Sequence, residues 1–256
     1  MAGVSLFAWI NSVKTATLIA TAAEANLPVT NVSNDQGSPA QAWQTPAGVT
    51  TASLTIVLPV RTSLRVFGFY RTNLTSAAVV SASLYTTPTA LVGTQTMSVS
   101  NGAATGVLTA ALSADFVIIS ITDTTNPDGF LSIPLAFAGI AWQPLTALSY
   151  STTMGRDDLS DTIITRGGQQ WINMRATSRR WELALDGVRE SEAFTQLDAL
   201  DRASRTGSNV LVVPNISGAN MAAEAAFGVL KGTADIGWPY AAADRRSWRA
   251  RLTERL

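Results

Sequence analysis

The pattern of apolar and polar positions divides the chain into a part with strand periodicity alone and a part that also contains a helix. Up to about residue 145, short runs rich in Val, Ile, Phe, Tyr and Thr recur between turn residues, a pattern that predicts β-strands. The predicted strands are Ser53–Leu58, Leu64–Arg71, Val79–Tyr85, Phe116–Thr122 and Leu135–Trp142. Several short strands separated by turns favour a β-sandwich or jelly roll.

One of these runs, Leu64–Arg71, is apolar on both faces. Val66 and Tyr70 point to one side of the predicted strand, and Phe67 and Phe69 point to the other. A strand with one solvated face would alternate apolar and polar residues. The sequence therefore predicts that this strand lies inside a sheet.

The second part of the chain predicts one helix, Arg189–Arg205. Four positions recur at three- and four-residue steps: Phe194, Leu197, Leu200 and Ser204. Two oppositely charged pairs stand four residues apart, Asp198–Arg202 and Asp201–Arg205. Each pair contributes roughly 0.2–0.5 kcal/mol to a helix. Gly207 follows where a helix C-terminal cap is expected.

Strand patterns surround this helix. The predicted strands are Arg180–Asp186, Asn209–Pro214, Ala226–Lys231 and a last strand in which Trp248, Ala250 and Leu252 line one face. A helix among such strands predicts an α+β domain, with the helix packed on an antiparallel sheet.

The distribution of charge supports two domains. Residues 1–145 carry four basic and five acidic groups, whereas residues 146–256 carry 14 and 13. The prediction is a mainly β protein, with a β-sandwich (jelly roll) over residues 1–145 and an α+β domain over residues 146–256. The joint is expected in Pro144–Ser151.

Composition argues against several classes of function. The chain has no His and no Cys, and only two of its 18 basic residues are Lys. The commonest general base, metal ligand and thiol nucleophile are therefore missing. We predict no enzymatic activity, no cofactor and no metal site. The formal net charge of zero does not indicate the basic surface of a nucleic-acid binder. The best apolar run, Leu131–Trp142, is far shorter than the roughly 20 residues of a membrane span.

Arginines on the outer face of the last strand, together with Arg180 of the strand Arg180–Asp186, are candidates for an interface with an acidic partner or a neighbouring subunit. The candidate residues are Arg180, Arg249, Arg251 and Arg255. The alternative is a solvated face, on which these side chains lie beside Glu182 and Asp186.

Other polar and aromatic positions are candidate ligand sites. A carboxylate cluster at Asp157, Asp158 and Asp161 has oxygen ligands that suit Ca²⁺ or Mg²⁺, and the segment 123–129 is a second calcium candidate. For both, a polar loop or turn is the favoured interpretation. Trp43 lies in a loop-like stretch and is a candidate glycan contact, with core packing as the alternative.

Two stretches resemble phage tail proteins. Residues 20–142 resemble the galactose-binding-like jelly rolls of such proteins through four segments: Asn26–Asn31, Ala42–Thr45, Phe67–Leu74 and Ser81–Tyr85. Residues 170–256 are similar to the β–helix–β core of minor tail and distal tail proteins through five: Arg180–Asp186, Glu190–Arg205, Val210–Pro214, Ala226–Leu230 and Trp248–Glu254.

The resemblance implies a structural component of a bacteriophage tail tip or baseplate, located in the virion tail and assembled in the host cytoplasm. Its implied contacts are with itself, in a ring oligomer, and with tube, hub or fibre proteins. The alternative is a carbohydrate-binding module that recognises a host glycan. A sugar hydrolase is a third hypothesis, which the absent His and scattered acids weaken.

Overall fold

The computed structural model describes residues 5–100, 102–173, 177–237 and 244–255, which fold into two units. The first unit is Met1–Gln143 with Val210–Ala225, and the second is Pro144–Asn209 with Ala226–Leu256. The boundary between the two units after Gln143 lies next to the change in charge density near residue 145. The segment Val210–Ala225 belongs to the first unit, whereas the sequence placed it in the second domain.

The protein is mainly β, as predicted. Up to residue 139 the strands are β1 Leu6–Ala8, β2 Thr17–Ala20, β3 Trp43–Gln44, β4 Thr51–Tyr70, β5 Val79–Thr87, β6 Ala90–Ser100, β7 Ala103–Thr122, β8 Ser132–Ile133 and β9 Leu135–Gly139. The later strands are β10 Thr153–Asp158, β11 Asp161–Ile164, β12 Gln170–Asn173, β13 Thr177–Arg189, β14 Val210–Val213, β15 Ala226–Gly237 and β16 Arg245–Glu254. Three short 3₁₀ turns, Ser12–Lys14, Val29–Ser33 and Pro39–Gln41, lie in the first unit.

Two 20-residue strands, β4 and β7, build the sandwich of the first unit. The first half of β4 pairs with β2 and with the second half of β7, while its second half pairs with β9 and the first half of β7. The register shifts between these halves, and all these strands belong to one six-stranded sheet. β5 and β6 complete the sheet that starts at β2. The sequence predicted two strands where β4 is one continuous strand, because Pro59 and Arg61 lie at the shift.

The core of the sandwich follows the alternation of its strands. Leu54 pairs with Ile119, and Ile119 pairs with Ala82, so that three buried side chains stand in one row across β4, β7 and β5. Phe67 and Phe69 are fully buried in the second half of β4. The prediction that this strand is internal is confirmed, since β7 and β9 flank it.

The return of the chain to the first unit is explained by β14. All four of its residues are buried, in agreement with the sequence, and it pairs with β1 through Leu6 and Val213 at one end and Ala8 and Leu211 at the other. Because β1 is already part of the first unit, this pairing brings β14 and the short helix Met221–Glu224 into that unit.

In the second unit, four antiparallel strands form a sheet in the order β10-β13-β16-β15. The alternation predicted for the last strand is confirmed, since Trp248, Ala250 and Leu252 are buried. On the same face of β13, Leu185 pairs with Trp248 and Leu183 pairs with Ala250. This face is the apolar side of the sheet.

The predicted helix is present over residues 190–205. It comprises α1 Glu190–Glu192, a π turn Ala193–Leu197 and α2 Asp198–Arg205, and α2 contacts β15. Both predicted ion pairs form, each at 2.7 Å. Gly207 has φ +77°, as its capping position requires. The sequence was wrong about Phe194, which is 51% exposed. The buried face of the helix begins instead at Ala193 and continues through Leu197, Leu200 and Ser204. Among the described residues, no helix is long and apolar enough to cross a membrane.

Candidate functional site

Three of the four candidate interface arginines meet on the outer face of the second unit's sheet. Strand pairing places Arg251 opposite Glu182 and Arg249 opposite Ala184, while Arg180 lies across from Gly155 of β10. This placement follows from alternation, because the neighbouring positions on β13 and β16 point into the core.

Acidic side chains on the same face neutralise these arginines. The Asp157 carboxylate accepts hydrogen bonds from Arg180 and Arg251, both at 2.7 Å. Glu182 lies 3.5 Å from Arg180 and 3.7 Å from Arg251. The hydrogen bond from Arg251 holds the pKa of Asp157 below its usual range, with Arg180 adding to the effect.

A second pair extends the same surface. Arg249 forms an ion pair with Asp186, with the guanidinium nitrogen 2.8 Å from the carboxylate oxygen. The Ser149 hydroxyl and then Arg249 lower the pKa of that carboxyl. Three arginines therefore face three carboxylates. This balance favours the alternative of a solvated face, and the proposed interface at these arginines stays a prediction.

Arg255 does not join this network. Its guanidinium donates to the Asn209 side chain at 2.9 Å and to the Gly207 carbonyl at 3.0 Å. Gly207 follows the end of the long helix, where carbonyl groups lack partners within the helix. Arg255 therefore ties the last strand to this helix end.

The candidate glycan contact Trp43 is a core residue. Its side chain is only 1% exposed, and the indole nitrogen donates to the Ala22 carbonyl at 2.9 Å. Both ring faces are packed inside the sandwich, so neither can stack on a sugar. The prediction that Trp43 contacts a glycan is therefore wrong. The structure shows the alternative, core packing.

The carboxylates considered as metal ligands have protein partners. Asp157 is bound by arginines, and Asp158 accepts from both the backbone and the hydroxyl of Ser160. Asp123 is buried and accepts from Thr75 and from the Asn126 amide. In the part of the chain that the structure describes, no group of three or more acidic side chains is placed to hold a metal ion.

A surface that the sequence analysis missed is the hairpin of β11 and β12, called here the exposed hairpin. Among the described strands these two pair only with each other, and all eight of their residues are exposed. The loop closes through hydrogen bonds from Thr165 to the Gln169 carbonyl and from Gly168 to the Thr165 carbonyl, both 2.9 Å. Gly168 has φ +79°, a conformation for which glycine is suited.

Both faces of the exposed hairpin carry large apolar side chains. Ile163 and Trp171 form a cross-strand pair on one face, while Ile164 and Ile172 lie on the other. These four side chains are 60–70% exposed. The available signal in the sequence is two short runs of β-branched and aromatic residues on either side of Gly167-Gly168, which together predict a hairpin.

A shallow depression of about 380 Å³ lies at the loop end of this hairpin, lined by Gln169, Gln170 and Trp171. Two amide side chains and an exposed indole ring can bind a polar ligand that also has an apolar face.

Comparisons with known proteins give no family. No known protein family and no curated protein matches the sequence. Among solved structures, a fucose-binding module of Streptococcus pneumoniae is 12% identical, with a TM-score of 0.41, over 51% of this chain and 94% of that chain. The family 32 carbohydrate-binding module of C. perfringens NanJ, in complex with galactose, is 17% identical, with a TM-score of 0.41, over 56% and 100%. A chitosan-binding module from Paenibacillus sp. IK-5 is 14% identical, with a TM-score of 0.40, over 50% and 98%. Likenesses of this strength establish nothing about what this chain binds.

Proposed function

We propose that this chain is a structural subunit of a multi-chain assembly, in which the exposed hairpin docks on a neighbouring protein chain. The observation that carries the proposal is that Ile163, Ile164, Trp171 and Ile172 are 60–70% exposed on a two-stranded ribbon that pairs with no other described strand. Large apolar side chains grouped in this way mark interaction sites.

The energetics favour a covered hairpin. A two-stranded ribbon alone is marginally stable in water. Burying an Ile side chain fully stabilises by roughly 1.5–3 kcal/mol, and aromatic side chains bury about 150–250 Å² each. Four such side chains therefore provide several kcal/mol toward association, against which the loss of rotational and translational freedom must be set.

The specific assembly that we propose is a bacteriophage tail tip or baseplate, with further copies of the chain and other tail proteins as partners. The support for this part is the resemblance of residues 20–142 and 170–256 to tail proteins. The comparisons do not add to it, since no family or curated protein matched and the structures named above are carbohydrate-binding modules. The proposed role is non-catalytic.

The test is self-association measured by sedimentation velocity over a concentration series. The wild-type chain is expected to form a defined oligomer, and Trp171→Ser is expected to weaken it about 30-fold or more, which corresponds to a hot-spot loss of about 2 kcal/mol. Tyr150→Ser is the matched control, because Tyr150 is a fully exposed aromatic residue of the same unit outside the hairpin. A wild-type chain that stays monomeric would refute self-assembly.

A second candidate function is glycan binding, for which the depression at Gln169, Gln170 and Trp171 is the specific observation. An indole ring can stack on the apolar face of a sugar while the amides bind its hydroxyls. Glycan-array binding of the wild-type chain, lost in Gln169→Ala/Gln170→Ala without loss of assembly, would favour this function. An array with no signal would remove it.

A further inference from the structure

Arg65, in the second half of β4, is a half-buried arginine whose described partners are all neutral. Its Nε donates to the Leu108 carbonyl at 3.4 Å, and its Nη2 donates to the side-chain oxygen of Gln143. Among the described residues, no carboxylate pairs with it. Loss of water around the guanidinium lowers the pKa of Arg65. Its positive charge is therefore partly desolvated without a negative charge to compensate it, which costs free energy.

Arg61, four residues earlier on the same strand, shows the usual arrangement. Its Nε and Nη2 donate to the two oxygens of Asp115 at 3.1 and 2.9 Å. A planar guanidinium and a carboxylate fit each other through two such parallel hydrogen bonds. Arg65 has the same set of donors, yet the chain supplies it with neutral acceptors only.

Strand register explains why Arg65 lies at an opening. The register shift between β4 and β7 falls here, so that this one residue lies across from the four residues 108–111 of β7. A bulge bends the strand and re-aims a side chain. On the other side of β4, the pairing with β9 ends one residue away, at Val66 and Gly139. Arg65 therefore lies between a bulge and the end of a strand, and residues 109–111 of the bulge are exposed.

The groups around this opening are donors. The Nη1 of Arg65 has no described partner and is not buried. The same holds for the amide nitrogen of Gln143, whose oxygen already accepts from Arg65. Ile140, which follows Gly139, is 45% exposed and offers an apolar contact. Because free N–H groups surround a positive charge, the site suits an anion and not a cation.

We propose that Arg65 and Gln143 bind the carboxylate of an organic ligand. The guanidinium donates to both carboxylate oxygens, and the Gln143 amide donates to one of them. A carboxylate supplies the negative charge that Arg65 lacks, and its planar shape matches the guanidinium as Asp115 matches Arg61. The inference does not rest on the proposed self-assembly, because the site lies in the first unit and the exposed hairpin in the second.

An acidic sugar and the C-terminus of a peptide both carry a carboxylate, and two probes separate these sources. Glucuronate represents the sugar and N-acetylalanine the peptide end, with glucose and N-acetylalaninamide as their neutral counterparts. In heteronuclear NMR titrations of the intact chain, we expect at least one of the two acids to shift the Arg65 Nε–H signal and the backbone amides of Leu108 and Gln143. The shifts should saturate with a dissociation constant of about 1–10 mM. The acid that binds more tightly identifies the source.

Arg65→Gln is expected to weaken this binding at least about 10-fold, since it removes the charge-assisted hydrogen bonds. Arg61→Gln is the matched control and should bind as wild type does, because the charge of Arg61 is already neutralised by Asp115. Arg65→Gln breaks no ion pair with a described residue, so circular dichroism should show a folded chain.

Four results would overturn the proposal. They are no saturable shift with either acid, equal shifts with the neutral counterparts, shifts centred away from Arg65, and wild-type affinity in Arg65→Gln. The first three come from the wild-type chain alone, so they decide the matter even if Arg65→Gln does not fold. None of them bears on the oligomeric state, which tests self-assembly separately.

Discussion

Ile163 and Trp171 are directly opposite each other across β11 and β12, and their side chains are 61% and 67% exposed. A cross-strand pair of this kind stabilises a hairpin by roughly 0.2–1 kcal/mol. That is too little to hold a two-stranded ribbon in water by itself. The pair shapes a surface whose apolar side chains the described part of the chain leaves largely uncovered.

Hydrogen exchange should detect the docking of the hairpin directly. In a dilute, monomeric sample we expect the backbone amides of Asp161–Ile164 and Gln170–Asn173 to exchange fast, because their hydrogen bonds are exposed and open locally. In a concentrated, assembled sample the same amides should be protected at least about 10-fold more. The fully buried strand β14 serves as an internal reference and should not change. Equal exchange of the hairpin at both concentrations would count against docking.

The ion-pair network of the second unit should make stability depend on pH. Arg251 and Arg180 lower the pKa of Asp157, and Ser149 and Arg249 lower that of Asp186. A carboxyl with a lowered folded-state pKa contributes stability that is complete above its unfolded pKa, about 3.9, and is lost as pH falls through the folded value.

Urea unfolding at pH 7, 4 and 2.5 checks this dependence. The wild-type chain should lose free energy of unfolding below pH 4, and Asp157→Asn should be less stable than wild type at pH 7 but lose less on acidification. Asp128→Asn is the control, because Asp128 has no arginine partner among the described contacts. If Asp157→Asn and wild type lost stability in parallel, the network would not be the cause.

Replacement of Trp43 should affect folding and not sugar recognition. Because the side chain is 1% exposed and packs among the core residues of the sandwich, Trp43→Ala leaves a large cavity and should cost about 3–5 kcal/mol of unfolding free energy. Thermal unfolding followed by circular dichroism measures this loss. A variant with unchanged stability would show that the ring is not a core residue.

Gly207 should be intolerant of a side chain for conformational reasons alone. Its φ is +77°, and a Cβ built there meets no atom within 4 Å, so Gly207→Ala adds backbone strain without a clash. The expected cost is about 1–2 kcal/mol. Gly167→Ala is a suitable control, because Gly167 lacks a positive φ and a Cβ there meets only the Thr165 hydroxyl, at 4.0 Å. Equal stability of the two variants in urea unfolding would contradict this reason.

The sequence predicted the periodicity within single helices and strands better than it predicted which strands pair and which side chains stay exposed. The helix over 190–205, its two ion pairs and the buried face of β16 were all visible from spacing, because each depends on neighbours within a few residues. That β4 is a single bent strand was not visible, since Pro59 signals a break whether or not the strand resumes. The pairing of β1 with β14 joins residues about 200 positions apart and leaves no local signal.

The candidate site was predicted less well for a related reason. Spacing correctly placed Arg249 and Arg251 on one outer face, but which acids meet them depends on the register of β10 and β13. The sequence leaves both a glycan contact and core packing open for Trp43, because its neighbours resemble a loop, whereas its burial depends on the distant pairing of Trp43 with Ile133. The sequence pattern predicts the two strands of the exposed hairpin. It does not predict that no other element packs on them.

The native mass of the intact chain is the most direct test of the central claim. Native mass spectrometry at micromolar concentration should show a defined oligomer, at a multiple of the 27.0 kDa subunit, which disappears in Ile163→Ser/Trp171→Ser. A wild-type spectrum with monomer alone across the concentration range, or an oligomer that the hairpin variant leaves intact, would contradict the account.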